Sequence, residues 1–153
     1  MAPTPSFDLA EAHRYFAAAC FNAAWDLIDK SDRSPEDDQR MIALALASLY
    51  HWSERPDCGD VQRSVGYWQA SRVHALAGLA GEARRYGELC LAESGELAPF
   101  YRGYAHEALA RAARVAGDGS AAELHLAKAR ELAAEIVDES ERKLLEDDLA
   151  ALG

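Results

Sequence analysis

Residues 51–60 read HWSERPDCGD, a stretch that sets a histidine, a tryptophan, an arginine and a cysteine close enough together to suggest chemistry. A cysteine nucleophile needs a base and an orienting group, and sequence proximity supplies neither to Cys58. A metal is the next chemistry to consider, since the chain holds His13, His51, His74, His106 and His125. None stands three or four residues from another, and no H-E-x-x-H or Cys/His pair occurs, so no metal site is expected. His13 and His51 could still meet across two helices. G-x-S-x-G, a phosphate loop and G-x-G-x-x-G are all absent, which leaves no catalytic residue and no cofactor to assign. The carboxylate runs Glu36-Asp37-Asp38 and Glu146-Asp147-Asp148 read as solvated helix faces. The stretch 51–60 itself reads as a helix end, a turn and the cap of the next helix, with His51 and Trp52 as packing.

The elements that position these residues are helices. Alanine and leucine dominate, Gly and Pro fall between periodic segments, and no alternating β-branched run occurs. The pattern predicts a first helix over 7–29 with Phe16, Cys20, Ala23, Ala24 and Leu27 as its apolar stripe, and a break at 29–33. Ser34 and Pro35, followed by acids, open a second helix that runs to about residue 54. Arg55 precedes Pro56 and should leave helical geometry. Asp60 is placed to cap a third helix to about 79. Further helices are predicted at 82–93, 99–116 and 120–137. Asp138 and Glu141 start a seventh, with Leu144, Leu145, Leu149 and Leu152 on one face.

A chain of 153 residues is read as one domain, 1–153, made of helix pairs at about 7–55, 61–93 and 99–137 and a capping helix at 138–152. Its start lacks a signal-peptide pattern and its longest apolar run is too short to span a bilayer, so a cytoplasmic, non-membrane protein is expected. Cys20, Cys58 and Cys90 are scattered and odd in number, which suits a reducing compartment. The net charge of −10 argues against nucleic-acid partners, which need cationic neutralisation of phosphates. That charge is uneven: residues 1–60 carry −6, residues 61–114 carry +2 and residues 115–153 carry −6.

Shifting the chain by 39 residues aligns Arg63 with Arg102, Arg72 with Arg111, Ala77-Gly78 with Ala116-Gly117 and Ala83 with Ala122. Small residues at Ser71 and Ala83, and again at Ala110 and Ala122, would let antiparallel helices approach closely. Gly78 and Gly117 suit helix C-terminal turns. With Cys90 and Ala129 these positions resemble the tetratricopeptide repeat (TPR), over roughly residues 64–134. The repeat is 39 rather than the usual ~34 residues, with the extra length near 94–98. Tyr67 and His74, then His106 and Ala113, replace the tryptophan and tyrosine of the family pattern. The HW…GYWQ.SRV.AL.G texture is similar to that of bacterial proteins without an assigned function, which implies no activity. The resemblance implies an all-α fold: antiparallel helix-turn-helix pairs stacked as a TPR-like right-handed α-solenoid of about seven helices.

In such an array the first helix of each pair lines the concave face. Its stripe would carry Val65, Trp68, Arg72 and Ala75 in one unit and Tyr104, Glu107, Arg111 and Arg114 in the next. Tryptophan, tyrosine and arginine are enriched at binding hot spots. A non-enzymatic module that docks a protein or peptide segment on Trp68, Arg72, Tyr104, Glu107, Arg111 and Arg114 follows as the leading expectation. The same pattern would arise if the aromatics pack on neighbouring helices and the arginines balance nearby acids. The family's peptide clamp uses lysine and asparagine where this chain has Trp68, Arg72 and Glu107, so its specificity does not carry over. The alternative is a small-molecule pocket lined by Trp25, His51, Trp52, Tyr67 and Arg72. A homodimer formed through the apolar stripe of the last helix is a third reading.

Overall fold

The computed structural model describes residues 1–153, and it contains seven helices and no strand. They are α1 (Leu9–Ile28), α2 (Pro35–Ser53), α3 (Asp60–Leu76), α4 (Ala80–Ser94), α5 (Pro99–Ala116), α6 (Gly119–Glu135) and α7 (Glu139–Leu152). The chain divides into two compact units, Met1–Gly59 and Asp60–Gly153. No helix is long and apolar enough to cross a membrane.

The first unit is the antiparallel pair α1 and α2. Asp8 accepts the backbone N–H of Glu11 at 3.0 Å and starts α1. Ser34 and Asp37 form the reciprocal capping box that starts α2, with Pro35 at the first helical position. Arg33 joins the two ends. Its guanidinium donates to the carbonyls of Ile28 and Lys30 at 3.1 and 2.8 Å, where the C-terminus of α1 leaves acceptors unpaired, and its Nε donates to Asp38 at 2.9 Å. The buried seam is His13, Ala17, Ala24 and Ile28 on α1 against Met41, Ala45 and Ser48 on α2. It shares Ala24 with the expected stripe but runs through His13 and Ala17 rather than Phe16, which is 44% exposed, while Cys20, Ala23 and Leu27 are half-buried beside it. Ser48 Oγ donates to the carbonyl of Ala17 at 2.8 Å, which a seam of small residues makes possible.

In the second unit α3 pairs with α4 and α5 with α6, while α5 also packs against α3, α4 and α7. The turns closing both pairs are alike. Gly78 (φ 77°) and Gly117 (φ 75°) are left-handed, a conformation that suits a residue without Cβ. Leu79 donates to the carbonyl of His74 and Gly78 to that of Ala75. Asp118 likewise donates to Ala113 and Gly117 to Arg114, so both are Schellman ends. Asp60 is the first residue of α3, where a cap was expected, and its carboxylate takes a hydrogen bond from Arg63.

The small residues aligned by the 39-residue shift form the seams. Ser71, Ala83 and Cys90, and then Ala110, Ala122 and Ala129, are all buried. Ser71 Oγ donates to the carbonyl of Ala83 at 2.7 Å. Burial pushes the Cys90 thiol up to about 11, so it is an inert packing group that donates to the Ser64 carbonyl. The segment after Ser94 that lengthens the repeat is the connection from α4 to α5.

α7 covers the last pair. Leu145 and Leu149 enter a core with Ala110, Leu126, Ala129, Ala133 and Ile136, while Leu144 points outward at 56% exposure. Much of the apolar stripe suggested for self-association is therefore used inside the protomer.

Candidate functional site

Three of the six residues expected to line the groove, Trp68, Arg72 and Arg111, meet at the carboxylate of a fourth, Glu107, and a fifth, Tyr104, packs beside them. Glu107, expected on the exposed stripe, is 0% exposed. Its Oε2 accepts the indole N–H of Trp68 at 2.9 Å. Its Oε1 accepts Nε and a terminal nitrogen of Arg111 at 2.9 and 2.7 Å, and a longer bond from Arg72 at 3.4 Å. A carboxylate out of water needs this many donors, because an unpaired buried charge is costly. Register accounts for the burial of Glu107: Trp68 and Glu107 stand 39 residues apart, the period of the repeat, so they occupy matching positions on α3 and α5.

Tyr104 joins the cluster from its other side. Its ring meets Trp68 edge to face at 5.4 Å and Phe100 at 5.1 Å between centroids. Its hydroxyl donates to Asp148 of α7 at 2.8 Å. Burial and then that carboxylate push the Tyr104 hydroxyl far above the usual phenol range, so it stays a donor. Asp148 was read as part of a solvated acidic run, yet it is half-buried and also faces Arg72 at 3.9 Å. A triple-acid string gives no signal that one member turns inward.

Arg72 is the least satisfied cation of the cluster. Its side chain is 16% exposed and its Nε is buried without a partner. Burial pulls its pKa down, against the opposing pull of Glu107. Arg114 lies apart from Glu107: it is exposed, pairs with Glu123 at 2.5 Å and donates to the Leu152 carbonyl at 3.2 Å. The arginines thus balance acids of the same chain. What the α3, α5 and α7 face offers outward is the half-buried rings of Trp68 and Tyr104, held by hydrogen bonds at both ends.

The residues of the alternative pocket fall in both units. In the first, Trp25 is half-buried on α1, and Trp52 carries the Arg55 guanidinium 3.9 Å above its ring. Arg55 also pairs with Asp57 at 2.6 Å. His51 turns to His13, their Nδ1 atoms 2.9 Å apart. In the second unit Tyr67 stacks on Tyr86 of α4, whereas Arg72 turns to Glu107 of α5, so these two do not share a site.

A second histidine pair, which sequence spacing gave no means of finding, joins α5 to α6: His106 and His125 bring their Nδ1 atoms within 3.1 Å. Burial, and then His125, Lys128 and Arg102, bring His106 down to about 4. His74 is buried, stacks on Tyr86 and donates Nδ1–H to the Ala70 carbonyl at 2.7 Å. No group of three or more His, Cys, Asp or Glu side chains converges in a way that could hold a metal ion.

Among known proteins, no family model, no curated sequence and no solved structure matches this chain.

Proposed function

We propose that the chain is a non-enzymatic, TPR-like interaction module that docks a protein segment on the face shared by α3, α5 and α7. The observation that carries this reading is the pair of half-buried rings, Trp68 and Tyr104, fixed edge to face and each tied by a hydrogen bond to a carboxylate. Large rings whose rotamers are already locked lose little entropy on binding, which favours them as anchors. Two features add weight. The segment with the least acidic charge, residues 61–114, carries α3 and most of this face, and the small-residue seams and Schellman turns repeat at the spacing of the TPR-like pattern. Arg72 and Arg111 act by holding the Glu107 carboxylate that takes the Trp68 indole N–H, and charge reversal at either would set carboxylates facing one another out of water.

The test compares protein capture from cells by the native chain, by Trp68→Ala and by Leu124→Ala, which alters an exposed side chain on α6. Each variant is first checked for helical content by circular dichroism, and capture is followed by titration with the purified partner. The expected result is a partner held by the native chain and by Leu124→Ala but weakened by about 2 kcal/mol or more in Trp68→Ala. Equal capture by all three folded proteins overturns the reading.

A further inference from the structure

Outside the α3, α5 and α7 face two features invite a ligand. One is a cleft of about 500 Å3 between α4, α5 and α6, whose rim cation Arg84 is already paired with Glu88 at 2.9 Å. The other is the meeting of His13 and His51, and it goes further. Helices α1 and α2 run antiparallel, so residues near the start of one face residues near the end of the other. That register brings the two Nδ1 atoms to 2.9 Å. The rings are held from the sides: Phe16 lies 5.4 Å from His51, and Tyr50 lies 5.8 Å from His13 and 5.2 Å from His51, between centroids. His13 is 9% exposed, while His51 is half-buried and adjoins the exposed Tyr50, so the pair is reached from solvent on the α2 side.

We propose that His13 and His51 form a two-histidine site for a divalent transition-metal ion that favours square-planar or octahedral geometry, copper(II) or nickel(II). Two nitrogens 2.9 Å apart, each about 2.05 Å from a shared ion, subtend about 90° at it, the cis angle of those geometries, once each ring turns its Nδ1 lone pair about 45° off the line that carries the hydrogen bond in the metal-free chain. Tetrahedral zinc would need the nitrogens to part to about 3.3 Å against the rings that hold them. Both imidazoles need free Nδ1 lone pairs, reached when the shared proton leaves Nδ1 and the ring takes one at Nε2. Two dative bonds form, nothing is oxidised, and water fills the remaining positions, since no third protein ligand converges. Glu54, one turn further along α2, is the acid whose field reaches His51 and favours a cation.

The other pair supplies an internal control. His106 and His125 are 3.1 Å apart, but Arg102, Lys128 and Arg84 exert repulsive fields there and disfavour a dication.

The experiment titrates nickel(II), copper(II) and zinc(II) into the metal-free full chain by calorimetry, alongside His51→Asn and His125→Asn. The expected result is one ion per chain, nickel held more tightly than zinc, and affinity lower by about 10- to 100-fold or more in His51→Asn but unchanged in His125→Asn. A second measurement needs no variant. Paramagnetic nickel(II) should broaden the ring resonances of His13 and His51 before those of His106 and His125. Binding that survives in folded His51→Asn, zinc held as tightly as nickel, or broadening that begins at His106 and His125 overturns the proposal.

Discussion

Glu107 shows how one residue can organise a face without belonging to its surface. In the sequence it sits among His106 and Arg111 on a helix with charges, and a glutamate there reads as solvated, since glutamates are almost never fully buried unless paired. The pairing was nevertheless legible in part, because the 39-residue shift that aligns Arg72 with Arg111 also sets Trp68 over Glu107. Matching positions on neighbouring first helices are the ones that touch. Glu107→Ala should therefore leave Arg72 and Arg111 without their common acceptor and cost about 3–5 kcal/mol, read as a fall in the urea midpoint at unchanged slope. Arg72→Met should cost less, about 1.5 kcal/mol or below. Glu107 keeps its two close bonds to Arg111, and an N–H that has no partner is removed from the interior. The reverse order of the two effects would mean that Arg72, rather than Glu107, is the centre of the cluster.

At the scale of elements the helices were readable because their ends carry chemistry: Ser34-Pro35 with Asp37, Asp138 before Glu141, and the glycines after α3 and α5 all act as the sequence indicates. Faces were less readable. The α1 seam runs through His13, a polar residue that a hydrophobicity pattern passes over, and so the stripe was placed on Phe16 instead. How closely helices approach was readable only where small residues repeat. Gly103 is such a place: the 39-residue shift sets it over Ser64, a second small buried residue, although this match was not among those singled out in the sequence. A Cβ there would lie 2.5 Å from Cδ2 of Leu145, the core leucine that seats α7 on α5. Gly103→Ala should push α7 outward and destabilise by about 1–3 kcal/mol, even though alanine favours a helix by about 1 kcal/mol. Gly103→Ala with Leu145→Val should recover part of the loss, because the shorter side chain vacates the space. Thermal melts of the two variants check this, and a Gly103→Ala chain as stable as the native one would show that α7 seats without that close approach.

Across the whole molecule the same device appears once in each unit: a histidine pair pins α1 to α2 and another pins α5 to α6. A neutral pair shares one proton along the Nδ1–Nδ1 line; one added proton makes a single charge, and only protonating both rings sets two like charges about 3 Å apart. The sequence left the meeting of His13 and His51 open and gave no sign of the other pair, because partners 38 and 19 residues apart meet only through the packing of helices. The consequence is a pH dependence with a definite sign. His51 and His125 are depressed from the ordinary value and His106 lies at about 4, with burial the leading cause in each. Histidines held neutral by the fold contribute stability that is fully present above their unfolded pKa of about 6.5. Between about 6.5 and 4 the unfolded chain binds more protons than the folded one, so stability falls as pH falls through that window and levels off below it. The carboxylates of Asp37 and Asp57, held low by Lys30 and Arg55, give way only below the usual carboxylate value, so the two effects separate. Urea unfolding at low protein concentration, chosen because the isoelectric point near 4.9 lies inside the window, should show a loss of roughly 1–2 kcal/mol from pH 7 to pH 5. Replacing one pin with apolar side chains, His106→Phe with His125→Leu, should shrink that loss in the folded variant. A native chain whose stability is flat from pH 7 to pH 5 would show that the paired histidines titrate alike in the folded and unfolded states.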